Sequence, residues 1–122
     1  MAAADIFTTV GEEQFADYLD GTTAVPSDFY IDWGTAGTTA VKGDTALNTP
    51  GGESRVIGTP TQPTASVNRF VATITASGGK TIDEMGLFSA ATTGNMIVSS
   101  TFTGIVLANG DKIEFTIDMT HS

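Results

Sequence analysis

The stretch Lys112–Thr120, KIEFTIDMT, decides the fold class of this chain. Every second residue in it is large and apolar, which is the period of a β-strand with one buried face. A shift in register by one residue would turn all of these side chains to solvent, so the register is strongly specified. The stretch therefore predicts a strand whose inward side chains are Ile113, Phe115, Ile117 and Met119.

The same alternation recurs upstream. Asn68–Ala76 places Phe70, Ala72, Ile74 and Ala76 on one face. Further strands are predicted at Phe29–Trp33, Arg55–Ile57, Ile82–Phe88 with a bulge at Gly86, Met96–Thr103 with Met96, Val98 and Phe102 on one face, and Ile105–Leu107.

Turn signals separate these strands. Ser77–Lys80 and Ala91–Asn95 are rich in small and polar residues, and Asn109-Gly110 is the strongest hairpin signal, since both residues can adopt positive φ. About six or seven strands with regular turns, and no alternation with helices, predict an all-β fold. We expect an antiparallel β-sandwich or a jelly-roll-like architecture.

One short helix is predicted near the N-terminus, over about Val10–Asp20. Thr9 and Glu12 fit a capping box, and Gly21 suits a left-handed C-terminal cap. The apolar stripe is too small to stabilise an isolated helix, so the helix docks on its own sheet or on a neighbouring subunit. The stripe consists of Phe15, Tyr18 and Leu19.

Two residues ahead of the helix are candidates for an interface. Ile6 and Phe7 form either a hydrophobic staple against the helix or an anchor that inserts into a neighbouring subunit. With 122 residues the chain is predicted to be a single domain, 1–122, with an N-terminal arm and helix at about residues 1–21.

Two segments are predicted to be loops. Residues 34–52 are rich in Gly, Thr and Ala, with a turn at Gly43-Asp44, and loops of this length are often binding elements. Thr59–Thr64 contains two prolines, which lack the backbone donor that a central strand needs.

Charge excludes several classes of partner. The net charge is -9, and the five basic residues are scattered, whereas nucleic acids and anionic membranes require clustered Lys and Arg. We therefore expect no direct nucleic-acid contact and no membrane, and the acidity serves solubility or attracts a basic partner. The basic residues are Lys42, Arg55, Arg69, Lys80 and Lys112.

The residue inventory argues against catalysis. The chain has no cysteine, and its one histidine, His121, is penultimate, so a catalytic triad or a transition-metal site is not expected. Of the carboxylate pairs, Asp83 and Glu84 face opposite ways on a strand, and Asp17 and Asp20 lie on a helix surface. We expect no enzymatic activity, no cofactor and no metal.

The sequence contains residues for two alternative kinds of binding site. The long loop carries Asp44, Asn48 and Glu53, which match no calcium-loop spacing. Tyr30 and Trp33 could form a sugar-binding platform, although a single Trp at a strand end is more often part of a core.

Three stretches carry a resemblance to a family. Asp32–Ala40 with Gly43–Leu47, then Ile82–Met96, then Phe102–Phe115, resemble in order the WGTGTT…GDTAL, ITEAGLFDAATGG and F…V..GD.I.F motifs of small bacteriophage structural proteins. Such proteins are labelled capsid decoration (cement) proteins or tail-fibre-like proteins. The resemblance covers roughly residues 30–120 and consists of turns and core positions.

The resemblance implies a β-sandwich component of the virion. It predicts a cement protein, assembled in the host cytoplasm, that binds the outer capsid surface and stabilises contacts between major capsid proteins. Its partners would be the major capsid protein and copies of itself, as a dimer or trimer. A chain of 122 residues beginning at Met1 favours this role over a tail-fibre, neck or baseplate component, and a carbohydrate-binding module is the further alternative.

The predicted contacts lie in the loops and the N-terminal segment. The two loops and residues 4–10 are expected to face capsid subunits and other copies of the chain, and many weak contacts around a closed shell add through avidity. The candidate interface residues are Ile6, Phe7, Lys42, Asp44 and Arg55.

Overall fold

The computed structural model describes residues 4–35 and 40–120. One antiparallel sheet of seven strands, in the order β1-β6-β5-β2-β3-β4-β7, curls until its two halves face each other. The prediction of an all-β fold with one short helix is confirmed. The elements are β1 (Ala4–Phe7), α1 (Thr9–Asp20), β2 (Phe29–Gly34), β3 (Val56–Thr64), β4 (Val67–Thr75), β5 (Lys80–Phe88), β6 (Met96–Leu107) and β7 (Lys112–Thr120).

The core lies between the two halves of the curled sheet. The inward side chains of β4 and β7 meet those of β2, β5 and β6 in one apolar cluster. Trp33 and Phe115 span it, with ring centroids 6.3 Å apart. The predicted inward faces of β4 and β7 are confirmed, because Phe70, Ala72, Ile74, Phe115, Ile117 and Met119 are all buried.

The expected loop at residues 59–64 is instead the second half of β3. This half pairs only with β4, whereas residues 56–58 pair with β2, so β3 carries the chain from one half of the sheet to the other. Pro60 and Pro63 lie in the half with one neighbour, where a missing N–H can face the unpaired side without breaking a ladder hydrogen bond.

The bulge expected at Gly86 is also wrong. Gly86 pairs regularly with Asp32 and Ser99, and the irregularities in β5 fall beside Asp83 and between Leu87 and Phe88. A Cβ at Gly86 would lie 2.6 Å from Met96 Cε and 2.9 Å from Phe88 Cε1, so a side chain there would force these two residues to shift.

Met96 and Val98 lie on either side of the second irregularity in the β5–β6 pairing, where Leu87 pairs with Val98 and Phe88 pairs with Met96. Met96 packs with Leu47 and Phe88 in a small outer cluster, whereas Val98 belongs to the main core. The expectation that Met96, Val98 and Phe102 share one face is therefore wrong for Met96.

The Asn109-Gly110 turn does not form a hairpin. Only Gly110 has positive φ (90°), and the strands on either side, β6 and β7, do not pair with each other. Gly110 N–H instead donates to Ala76 O at 2.8 Å, and Ala76 N–H donates to Asp111 O at 2.7 Å. The turn is thereby fixed to the end of β4, so β7 pairs with β4 along its whole length.

Helix α1 begins one residue earlier than predicted. Its N-cap is the buried Thr8, whose Oγ1 accepts from Gly11 N–H at 2.9 Å and donates to Met96 O. The left-handed cap at Gly21 is confirmed, with φ of 80°. Leu19 is 91% exposed, so the predicted stripe is wrong for Leu19, whereas Phe15 and Tyr18 pack against other aromatic rings.

Helix α1 docks on the protein's own sheet. A chain of ring contacts runs from β1 through the helix to β2 and β4, and successive centroids lie 5.1–6.4 Å apart. Its members are Phe7, Phe15, Tyr18, Phe29 and Phe70.

We expect Gly11→Ala to destabilise the protein, although Ala is the better helix former by about 1 kcal/mol. The added Cβ would lie 2.6 Å from Ile97 O and 2.9 Å from Ile97 Cα, which are backbone atoms of β6 that cannot rotate away. Overpacking of this kind costs about 1–3 kcal/mol. Urea unfolding measures the change, and a stabilised variant would contradict the close contact.

Ala16→Gly at an exposed site of the same helix is the control. It should show only the helix-propensity loss of about 1 kcal/mol.

Candidate interaction surface

The long loop after β2 covers the outer face of the sheet. It runs from residue 35 to residue 55, and the predicted turn at Gly43-Asp44 is confirmed by an Asp44 N–H to Val41 O hydrogen bond of 3.1 Å. The buried Glu84, on β5, accepts the backbone N–H groups of Asn48 and Thr49, each at 3.0 Å. One carboxylate therefore satisfies two backbone donors of the loop.

A second carboxylate, that of the largely buried Glu53, anchors the end of the loop. It accepts from Trp33 Nε1 at 2.7 Å and from Ser77 N and Oγ at 2.9 Å, and it forms an ion pair with Lys80. Burial alone would raise the pKa of Glu53, but the hydrogen bonds from Lys80, Ser77 and Trp33 outweigh it and lower the pKa from 4.5 to about 2. Glu53 is therefore ionised at neutral pH.

Arg55 lies apart from the other predicted interface residues. Its guanidinium stacks on Phe88 at 3.7 Å and lies 3.8 Å from the carboxylate of Asp32. It also donates to Ala90 O at 2.9 Å and to Thr93 O at 2.7 Å. Arg55 thus connects the residue before β3 to the β5–β6 turn through two hydrogen bonds of its Nη1.

The pKa of Asp32 is shifted in the opposite direction to that of Glu53. Burial raises its pKa, and the hydrogen bond from Trp33 N–H and the charge of Arg55 only partly offset that effect. The positive charge of Arg55 is therefore needed beside this carboxylate.

We expect Arg55→Lys to lower the free energy of unfolding by about 1–3 kcal/mol, because lysine cannot stack on Phe88 while also donating to both carbonyls. Chemical denaturation gives the loss, and hydrogen exchange at residues 89–95 should rise. Arg69→Lys, at an exposed ion pair with Asp118, is the control and should cost less than about 1 kcal/mol.

The structure brings the other four predicted interface residues together at the junction of β1 and α1. Lys42 Nζ donates to Phe7 O at 2.9 Å and pairs with Glu12 at 2.6 Å. Asp44 accepts from Ser99 Oγ at 2.8 Å, and Ser99 is the residue on β6 opposite Ile6.

The exposed part of this region is small and mixed in character. The side chains of Lys42 and Glu12 are 55% and 51% exposed, and Val41 beside them is 53% exposed. We call Thr9, Glu12, Val41 and Lys42 the β1–α1 surface. It combines one exposed apolar side chain, Val41, with an exposed ion pair, and this mixture is suited to contact with another protein.

Residues 4–7 form a strand of the sheet. They pair with Val98–Thr101 of β6, and Phe7 packs edge-on against Phe15 at 5.1 Å. The expected arm and anchor are therefore wrong for Phe7, and so is a strict staple, because Glu12 occupies the fourth helical position. The remainder of the predicted arm, residues 1–3, lies outside the described residues.

A groove separates the two ends of the sheet, where β1 faces β7. It encloses a cavity of about 270 Å³ between apolar side chains of both halves, with polar residues at its rim. Ile6, Phe7, Met85, Val98, Ile117 and Met119 form its apolar lining.

The alternative sites considered from the sequence do not assemble. Trp33 is fully buried and Tyr30 lies on the opposite face of β2, so no sugar platform forms. Asp44, Asn48 and Glu53 contact different partners, and within residues 4–35 and 40–120 no three His, Cys, Asp or Glu residues could hold a metal. His121 lies outside the described residues.

Sequence reasoning missed the roles of Glu53 and Glu84. No local signal distinguishes Glu84 from an exposed strand acid such as Glu114 of β7, which also lies next to apolar residues. The partners of Glu84 could not be read from the sequence, because they lie 35 and 36 positions away in a loop.

A scan against family models and searches of curated proteins and of solved structures found no match to the chain. Among the described residues, no helix has both the length and the apolar character needed to cross a membrane.

Proposed function

We propose that the chain is a structural protein of a bacteriophage virion, a decoration protein that binds the outside of the capsid and stabilises contacts between major capsid proteins. It acts by binding rather than by catalysis, without a cofactor, and it associates with other copies of itself. The proposal starts from the resemblance of three stretches to small phage structural proteins.

One observation carries the proposal: the three resembling stretches pack on one another. Gly34 of the first stretch pairs with Glu84 of the second, and Leu47 packs against Phe88. Phe115, which ends the third stretch, contacts Trp33 of the first. The three stretches therefore belong to one structural unit, in which a long loop is fixed to a sheet.

The fixed loop suits a protein that resists mechanical load. Glu53 and Glu84 bind the loop to β2, to β5 and to the turn between β4 and β5. The hydrogen bonds to β2 and β5 are partly buried, and the one from Ser77 in the turn is exposed. A rigid loop also loses little conformational entropy when it meets a capsid subunit.

The β1–α1 surface is the proposed capsid contact. It combines Val41 with the exposed ion pair of Lys42 and Glu12, and a chain with net charge -9 is attracted to a basic patch on the capsid. Deletion of residues 1–9 is a poor test of this contact, because it would remove β1 and the buried Thr8 along with it.

Co-sedimentation of the purified protein with capsid shells of its own phage tests the proposal. We expect the protein to bind, and Val41→Asp to weaken binding at least tenfold. Val106→Asp is the matched control, because Val106 is 80% exposed near the other end of β6 and should leave binding unchanged.

Three results would contradict the capsid role. One is absence of binding by the unmodified protein. Another is equal loss of binding by both valine variants. The third is immunogold labelling on the tail, which would favour a tail-fibre, neck or baseplate component.

A further inference from the structure

Within the part of the chain that the structure describes, strand β7 has one unpaired edge. Lys112–Thr120 pairs with β4 without interruption, from Lys112 opposite Thr75 to Thr120 opposite Val67. β4 is its one neighbour among the described strands. Alternate residues of an antiparallel strand direct their N–H and C=O groups to the far side, so this edge presents a row of backbone donors and acceptors.

The edge also lacks the backbone features that usually block strand pairing. Proteins shorten their edge strands, bend them with a bulge or place proline in them. The opposite edge strand, β1, has only four residues, whereas β7 has nine, with no proline and no break in register. A long regular edge of this kind is expected to be covered by another strand in the assembled protein.

We propose that a second copy of this chain covers the edge, with β7 pairing antiparallel to β7 of that copy around a two-fold axis at Phe115. This deepens the proposed function, since it rests on the self-association included there. The register places Lys112 opposite Asp118 of the second copy, and the symmetry repeats that attraction. Glu114 then faces Thr116, which is uncharged.

The neighbouring registers are electrostatically worse. The two residues of each pair must direct their backbone groups the same way, both to the free edge or both to β4, so the register changes in steps of two. If the axis passes through Thr116, Glu114 lies opposite Asp118 of the second copy. If it passes through Glu114, the two copies of Glu114 lie opposite each other. Like charges directly opposite each other destabilise a strand pair.

The geometry of the sheet is compatible with this pairing. A two-fold axis perpendicular to the sheet keeps the inward faces of both β7 strands on the same side, so the apolar residues Phe115 and Ile117 continue one layer. Asp118 already forms an ion pair with Arg69, with bonds of 2.7 and 3.0 Å, and Lys112 of the second copy would extend that pair on the outer face. The groove beside β7 opens at this edge, so the second copy would cover it.

Charge reversal with rescue tests the proposal in solution, by sedimentation velocity of the full-length protein over a concentration series. We expect a dimer for the unmodified chain. Lys112→Glu and Asp118→Lys each create two like-charge pairs and should each raise the dimer dissociation constant by roughly tenfold. An equimolar mixture should dimerise again, because Glu at 112 then faces Lys at 118, and Asp at 118 faces Lys at 112.

Circular dichroism establishes first that each variant is folded, since Asp118→Lys also removes the partner of Arg69. A monomeric unmodified chain at about 0.5 mM, a dimer unaffected by either reversal, or a mixture that fails to recover would overturn the proposal. The sedimentation-velocity experiment contains no capsids, so absence of a dimer would not bear on capsid binding, which co-sedimentation tests. Absence of capsid binding, in turn, would not bear on the dimer.

Discussion

Glu53→Gln should lower the free energy of unfolding by about 3 kcal/mol at pH 7, the largest loss we expect from a single isosteric substitution in this protein. The carboxylate and Lys80 are both largely buried, with 9% and 14% of their side chains exposed. Removing one partner of a buried ion pair leaves the other charge without compensation, which costs about 3–5 kcal/mol. The amide also loses an acceptor oxygen used by Ser77.

The loss should depend on pH in a defined direction. The pKa of Glu53 is about 2 in the folded protein, against 4.5 for an unperturbed glutamate. A carboxyl whose pKa falls on folding stabilises the folded state above its unfolded pKa, and this contribution disappears as pH falls towards the folded pKa. The difference between the unmodified protein and Glu53→Gln should therefore shrink between about pH 4.5 and pH 2.

Asp32 affects the pH dependence of stability in the opposite direction to Glu53. Its pKa is raised by burial, so proton uptake by Asp32 favours the folded state as pH falls. Asp32 is present in both proteins, so the comparison between them isolates Glu53.

Urea unfolding followed by the fluorescence of Trp33, the single tryptophan, measures this effect at its site, because Trp33 Nε1 donates to Glu53. Glu114→Gln, an exposed strand carboxylate, is the control and should change stability by less than about 0.5 kcal/mol. An equal loss at pH 7 and pH 2 would show that packing, and not charge, accounts for the effect.

Glu84→Gln should lower the free energy of unfolding by about 2 kcal/mol and release the middle of the long loop. Each carboxylate oxygen accepts one backbone N–H, from Asn48 and from Thr49. The amide nitrogen of glutamine would face one of these donors, and a buried donor without an acceptor costs about 1–3 kcal/mol.

Hydrogen exchange separates this local effect from global unfolding. The amides of Asn48 and Thr49 should lose protection, while those of β4 and β7 keep theirs. Gly34→Ala should disturb the same contact between Glu84 and the loop, because the added Cβ would lie 2.6 Å from Thr49 O. It should therefore also expose the amides of Asn48 and Thr49. Unchanged protection at Asn48 and Thr49 in both variants would contradict the role given to Glu84.

Local patterns predicted the strands well wherever one face is buried. The alternation in β4 and β7 identified their inward residues correctly, because burial of every second side chain follows directly from the strand period. The helix was found to within one residue from its caps, although the cap proved to be Thr8, whose role depends on contact with Met96 of β6.

Predictions about connections were less successful. Pro60 and Pro63 argued for a loop, yet they lie in a strand, because β3 has only one neighbour there. Asn109-Gly110 argued for a hairpin, yet the turn joins strands that do not pair, because its backbone is bonded to Ala76. Of the candidate interface residues, Ile6, Phe7, Lys42 and Asp44 meet at one place, whereas Arg55 is engaged elsewhere within the chain.

The sequence by itself determined the all-β class, the inward faces of β4 and β7, the position of the helix and the acidic character of the chain. These depend on side-chain periodicity, caps and charge, which act over a few residues or over the whole chain. The tertiary structure alone decided which strands pair, where the long loop is fixed, and that β7 keeps a free edge. These depend on contacts between distant segments, such as Glu84 with Asn48 and Trp33 with Phe115, whose partners no local pattern specifies.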